Sequence, residues 1–169
     1  MKNRPDREEE FMSWGLGLFI HWSLDSQLGS VISHSLVGAS ADYVERYFRD
    51  LPKTFEPERF NPREWARLAR VSGIQYVVIT AKHHSGFCMW DSSVCEFNIT
   101  STPHGKDILK EIVDAFRDAD IRVGFYFSPD DFWWLHTHGY RIARNEEYAW
   151  ETHNPELGEY NCRQLDELL

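Results

Sequence analysis

Cysteine is scarce in this chain: three residues, Cys88, Cys95 and Cys162, with no C-x-x-C among them. An odd number without metal-ligand spacing argues against a disulfide framework or a zinc site, and reads as free thiols in a reducing compartment. No apolar run reaches the length of a membrane span. The start, M-K-N-R-P-D-R-E-E-E, lacks an apolar h-region, so no secretory signal is expected and a cytoplasmic location follows. Positive charge is in deficit: 18 Lys and Arg against 27 Asp and Glu give a formal net charge of −9. No basic patch with interleaved aromatics appears. Nucleic acid and an anionic membrane surface are therefore not the expected partners. Internal repeats, low-complexity tracts, a Gly-rich phosphate loop and an H-E-x-x-H pair are also missing.

What is present is apolar and aromatic. Hydrophobic residues make up 42% and aromatic residues 15%, which marks a globular chain. Its 169 residues fit one domain. Seven Trp, seven Tyr and eleven Phe fit a large aromatic core, or a cleft in which sugar C–H faces stack on rings. Composition alone fits the core better.

The most informative stretch is 77–91, V-V-I-T-A-K-H-H-S-G-F-C-M-W-D. A β-branched run reads as a strand buried in a parallel sheet. It ends in Lys82, His83 and His84, followed by a turn at Gly86 and Phe87. Leu16 to Trp22 reads as an earlier strand ending in His21 and Trp22, and Ile121 to Ser128 as a third. The first helix has Asn61 as cap, Pro62 at its first position and Gly73 as its stop, with Trp65, Leu68, Ala69 and Ser72 on one face. The second runs from about Gly105 to Asp118, carrying Ile108, Ile112, Ala115 and Phe116. The third opens at Asn154-Pro155 and carries Leu157, Tyr160, Cys162, Leu165 and Leu168. Residues 1–13 form a polar lead-in. Long stretches at 23–60 and 129–153 read as irregular, apart from a helical turn or two within 42–50.

The order is βαβαβα, which implies a parallel sheet covered by helices. Strand-to-helix loops are long and chemically rich, whereas helix-to-strand turns, Gly73-Ile74 and Ala119-Asp120, are very short. That asymmetry predicts an α/β fold of the (β/α)8 TIM-barrel type, whose catalytic face is built from the βα loops. Only the first three βα units are present, so residues 1–169 read as the N-terminal portion of a truncated barrel, because three strands alone leave unpaired edges.

Four blocks then come together: G-L-F-I-H-W at 17–22, A-K-H-H-S-G-F at 81–87 with W-D-S at 90–92, G-K-D-I at 105–108, and G-F-Y-F-S at 124–128. In order and spacing they resemble the α-L-fucosidases of glycoside hydrolase family 29, over roughly residues 14–169. The resemblance implies a retaining hydrolase of terminal α-L-fucosyl groups, using two carboxyl groups and a covalent glycosyl-enzyme. It implies a fucosylated oligosaccharide or glycoside as substrate, no cofactor and no metal, and it leaves room for a homo-oligomeric full-length protein. By similarity, His21, His83 and His84 contact sugar hydroxyls, Tyr126 lies near the reacting sugar, and Trp22 and Phe87 line the pocket around the fucose methyl. Lys82 and Asp91 are expected in structural pairing, Asp107 in stabilising a first helical turn, and Trp133 and Trp134 at the pocket rim or packed in the loop.

The chain departs from the family pattern in three places. Ser85 stands where K-H-H-D-G-F has aspartate. The first-loop Glu-Trp-Tyr has no clear counterpart, with Asp42 and Tyr43, or His34, as candidates. The family nucleophile belongs to the end of a fourth strand and the acid/base carboxylate comes later still. Both are therefore expected C-terminal to Leu169, and neither within these 169 residues. Two other readings remain: a fucose-binding remnant without catalysis, and a barrel hydrolase with a histidine-bound metal at His21, His83 and His84, or at His136 and His138.

Overall fold

The computed structural model describes residues 4–32 and 36–169. His34 lies outside the described residues. Three strands, β1 (Gly17–Ile20), β2 (Tyr76–Lys82) and β3 (Arg122–Phe127), form one parallel sheet in the order β1-β2-β3. Helix α1 (Pro5–Ser13) precedes β1. Helices α2 (Ala41–Asp50) and α3 (Pro62–Val71) separate β1 from β2. Helix α4 (Ile108–Asp118) joins β2 to β3, and α5 (Phe132–Thr137) and α6 (Pro155–Leu168) follow. Among the described residues no helix is long and apolar enough to cross a membrane.

Side-chain oxygens start every helix from α2 to α6, each filling one of the orphan N–H groups at a helix N-terminus. Asn61 accepts from the Glu64 N–H, Asp107 from Lys110 at 2.7 Å and Asn154 from Leu157 at 3.3 Å. Asp107 is thus the cap of α4 itself. In register, Leu18, Val77 and Val123 form one row and Ile20, Ile79 and Phe125 another. Helix α4 packs on β2 and β3 and against α3. The core gathers Val77, Ile79, Ala81, Ala69, Ile112 and Phe116, all buried. Burying each of the larger of these side chains, the valine, isoleucines and phenylalanine, is worth about 1.5–3 kcal/mol.

Two stretches expected to be irregular hold helices. Within 23–60, Ser40 caps the ten-residue α2, which buries Val44, Tyr47 and Phe48 at helical spacing. Within 129–153, Asp131 caps α5, which buries Phe132, Trp134 and Leu135. Six residues are too few for a period to stand out. Helix α6 turns only part of the expected face inward, with Tyr160 and Leu168 packed on the core beside Leu157. It buries Leu157, Asn161 and Gln164, while Cys162 is exposed and Leu165 is 36% exposed. The two amides face inward because a buried cation needs them, as described below. The stripe Trp65, Leu68, Ala69 and Ser72 on α3 lines an open cavity of about 520 Å³ beside β1, with Leu18, Ile20 and Ile74.

Candidate functional site

The C-terminal ends of the strands gather rings. The His83 ring is sandwiched between His84, at 4.3 Å and 21°, and Tyr126, at 5.1 Å and 18°. His21 meets His83 edge-on at 4.8 Å and Tyr126 at 5.7 Å. Phe19 adds contacts to His21 at 5.0 Å and Tyr126 at 5.8 Å. Parallel register accounts for this. Thr80 is paired with Tyr126, and His21 directly follows the Ile20–Ile79 pair. His83 and His84 are 3% and 6% exposed, while Phe19 is 52% exposed.

Hydrogen bonds orient the imidazoles. The His84 N–H donates to His83 Nδ1 at 2.8 Å. Nδ1 is then an acceptor, so the neutral His83 ring carries its proton on Nε2. His21 Nδ1 lies 2.8 Å from Thr80 Oγ1, which makes Nε2 the ring nitrogen available to a ligand. Burial pushes the His21 pKa below the ordinary imidazole value. His84 Nδ1 stands 3.6 Å from Asp130 Oδ2, and Arg144 Nε donates to the same oxygen at 2.6 Å.

The turn behind the rings depends on glycine. Gly86 has φ +85°, and its N–H donates to His83 O at 2.9 Å. A Cβ there would meet the Asp131 carboxylate and lie 2.7 Å from Trp133 Cβ. The His84 and Ser85 carbonyls accept from the N–H groups of Phe132 and Trp133, which binds the turn to α5. Ser85 itself is fully buried, its Oγ 3.4 Å from the Phe87 N–H. That is no place for an unpaired carboxylate.

Not every candidate joins the cluster. Phe87 is fully buried in the aromatic core, against Phe97 at 5.1 Å and Phe55 at 6.0 Å. Trp22 packs with Phe55, Phe60 and Trp65, and its Nε1–H donates to Ser26 Oγ. Trp133 stacks on Phe97 at 4.9 Å and Trp134 on His138 at 3.9 Å, so both pack the loop. Asp42 pairs with Arg46 at 2.9 Å on the surface of α2. Asp91 accepts from Thr100 Oγ1 at 3.2 Å.

Lys82 is structural. Its Nζ donates to Asp131 at 2.9 Å, Asn161 at 2.8 Å and Gln164 at 2.7 Å, and lies 4.3 Å from the Phe127 ring centre. An ammonium has three donors, and all three are used. Sequence reasoning missed Thr80, Asp130 and Arg144 as partners of the rings. The adjacent aspartates of S-P-D-D directly after the third strand were the available signal.

For a metal, the arrangement is poor. Imidazole lone pairs lie in the ring plane, so the parallel rings of His83 and His84 do not converge on one point. Among the described residues no group of three or more His, Cys, Asp or Glu is placed to hold an ion. His136 stacks on Phe48, and His138 Nδ1 lies 2.8 Å from Trp134 O.

A parallel α/β sheet with imidazoles and a phenol at its C-terminal strand ends is the layout of a small-ligand enzyme site. The chain matches the alpha-L-fucosidase family over residues 2–169 and belongs to that family. It is 34% identical over 121 residues to alpha-L-fucosidase 1 of Arabidopsis thaliana, covering 70% of this chain and 21% of that protein. With the tissue alpha-L-fucosidase of Rattus norvegicus it shares 37% over 134 residues, covering 71% and 29%. A GH29 alpha-L-fucosidase from Bacteroides thetaiotaomicron, trapped as a covalent intermediate with 2-fluoro-fucosyl fluoride, superposes with a TM-score of 0.78 at 30% identity, over 99% of this chain and 39% of that one. The Thermotoga maritima alpha-fucosidase in complex with a mechanism-based inhibitor gives 0.73 at 26% identity, over 99% and 47%. The chain thus spans less than a third of these two curated relatives and less than half of these two solved structures.

Proposed function

We propose that this chain forms the first three βα units of a (β/α)8 barrel in a retaining α-L-fucosidase, and that its strand ends bind the fucosyl ring. The ring cluster of His21, His83, His84 and Tyr126 carries the reading. A small sugar presents several hydroxyls within a few ångströms, each both donor and acceptor. Imidazoles answer with one donor and one acceptor nitrogen each. His83 offers an Nε2–H donor by virtue of its tautomer, and Tyr126 and Phe19 offer apolar ring surface beside it.

Retaining hydrolysis needs two carboxyl groups about 5–5.5 Å apart, one as nucleophile and one as acid then base. The carboxylate beside the cluster, Asp130, is already held by Arg144 at 2.6 Å, which suits an orienting role for His84 more than attack on a sugar. The reading therefore assigns binding to these residues and both catalytic carboxylates to residues C-terminal to Leu169.

The test is ligand binding followed through the histidines. L-Fucose should shift the imidazole resonances of His21 and His83 while D-glucose leaves them in place. The 169-residue chain should release no 4-nitrophenol from 4-nitrophenyl α-L-fucoside. Steady turnover would overturn the assignment of the carboxylates. Stoichiometric zinc displacing the fucose response would revive a metal-dependent hydrolase.

A further inference from the structure

We propose that Cys88 and Cys95 form a dithiol modification site, which a low-molecular-weight organic disulfide oxidises to an intramolecular disulfide beside the histidine turn. The fold brings the two thiols together. Both donate to the same acceptor, the Gly86 carbonyl, from 3.7 Å and 3.9 Å. The return of the chain from Cys88 to Cys95 is fixed by backbone pairing, with the Cys88 N–H donating to Phe97 O and the Ile99 N–H to Cys88 O. Side chains gathered on one acceptor face a common point, which a disulfide between them requires.

The environment divides the labour. Cys95 lines a cavity of about 570 Å³ in which Glu96, Glu156 and Glu159 outnumber the one guanidinium, Arg163, which gives a small cationic disulfide a route and a favourable field. Its thiol is held below the ordinary value chiefly by the hydrogen bond from Cys88. Cys88 is fully buried, and burial pushes its thiol well up. Cys95 is the sulfur on the cavity side and is therefore the attacking one, with the fully buried Cys88 behind it as the resolving one.

The electrons balance in two exchanges. The Cys95 thiolate attacks one sulfur of the organic disulfide, forming a mixed disulfide and expelling one thiolate, which takes up a proton. Cys88 then loses its proton, attacks the Cys95 sulfur and expels the second thiolate. Two protein thiols give up two electrons and two protons, and one organic disulfide becomes two thiols. Oxidation removes both S–H donors from the Gly86 carbonyl, one bond away from the turn that holds His83.

Cystamine–cysteamine mixtures of graded ratio test this on the folded protein, with acid quench, alkylation in denaturant and chymotryptic cleavage after Trp90. The expected product is a Cys88–Cys95 linked peptide pair, and the Cys162→Ser variant forms the same pair. In the Cys95→Ser variant, Cys88 reacts at least tenfold more slowly than the exposed Cys162. The proposal is overturned if Cys88 and Cys95 are both still alkylated where Cys162 is fully converted. It is equally overturned if Cys95 stops at a mixed disulfide. Peptide masses are read here, not sugar binding, so this outcome is separate from that of the fucosidase assignment.

Discussion

Lys82 and His83 are neighbours in sequence and opposites in role. Lys82 points towards α6 and satisfies every donor it has, on Asp131, Asn161 and Gln164, with no exposure at all. His83 points to the other face and joins the ring cluster with His21, His84 and Tyr126. Strict strand alternation would place residue 82 on the same face as Thr80, in the site. The register breaks there instead: Thr80 pairs with Tyr126, but Lys82 pairs with Phe127. A single irregularity thus moves the cation into the core and delivers the imidazoles to the cluster, as a one-residue slip exchanges faces. Position in a motif did not decide function here; backbone register did.

The hardest blow to this contrast is on the lysine side. Lys82→Met is expected to cost about 3–5 kcal/mol, because Asp131 is left as a buried charge without its cation. Urea unfolding measures it. A cost below about 1 kcal/mol together with lost fucose binding would reverse the roles assigned to the two residues. Next in size is Gly86→Ala, at about 2–4 kcal/mol. That sum combines the left-handed backbone at φ +85° with a Cβ forced against Asp131 and Trp133. Since Gly86 joins the two halves, the variant should also weaken fucose binding. A stable variant with intact binding would show that the turn tolerates a looser path.

Much of this was legible before any coordinates. Caps at Asn61 and Asn154 were legible and their helices begin one residue later, whereas Asp107, expected inside the first turn of a helix from about Gly105, is itself the cap and α4 begins at Ile108. The three strands were legible from their β-branched and aromatic runs, although only β2 is buried along most of its length, as continuous apolar strands of parallel sheets are. That His21, His83 and His84 gather was legible from their places at strand ends, where polar groups converge in such sheets, while Tyr126 entered only through the resemblance to family 29. Other features had no local signal. Phe87 sits in the core because the chain doubles back after Gly86, with the Met89 N–H returning to Ala81 O, and no spacing encodes that. The inward amides Asn161 and Gln164 break the apolar stripe of α6 only because Lys82, some eighty residues earlier, needs acceptors. Thr80 looked like a strand residue and is a histidine partner, at 2.8 Å from His21. Long-range polar pairing is the part of a fold that a linear pattern carries least.

On the histidine side the expected effects are on binding more than on stability. His83→Ala removes the ring between His84 and Tyr126 and leaves the His84 N–H without its acceptor. Leaving a buried donor unpaired costs about 1–3 kcal/mol. Fucose affinity should fall at least tenfold. His83→Gln, which keeps a donor and an acceptor, should recover part of that affinity. If alanine and glutamine variants bind equally well, the ring is packing alone and the contrast with Lys82 disappears.

The finest test is protonation of His21. Burial lowers its folded pKa, while the unfolded chain titrates near the ordinary value of about 6.5. Well above that value both states are neutral and the group adds no pH dependence. As pH falls into the window between the two values, the unfolded chain binds more protons, so stability declines with falling pH and levels off below the folded pKa. The ring is partly solvated, so the decline is small. His21→Gln deletes the titration. Urea midpoints at about pH 7.5 and 5.5 should therefore drop further in the wild type than in the variant. An equal drop in both would mean that burial of His21 contributes nothing in this window and that other groups set the acid limb. A larger drop in the variant would mean that the protonated His21 ring is stabilised in the fold, and the cluster would then be tuned to hold a charge instead of a neutral hydrogen-bonding ring.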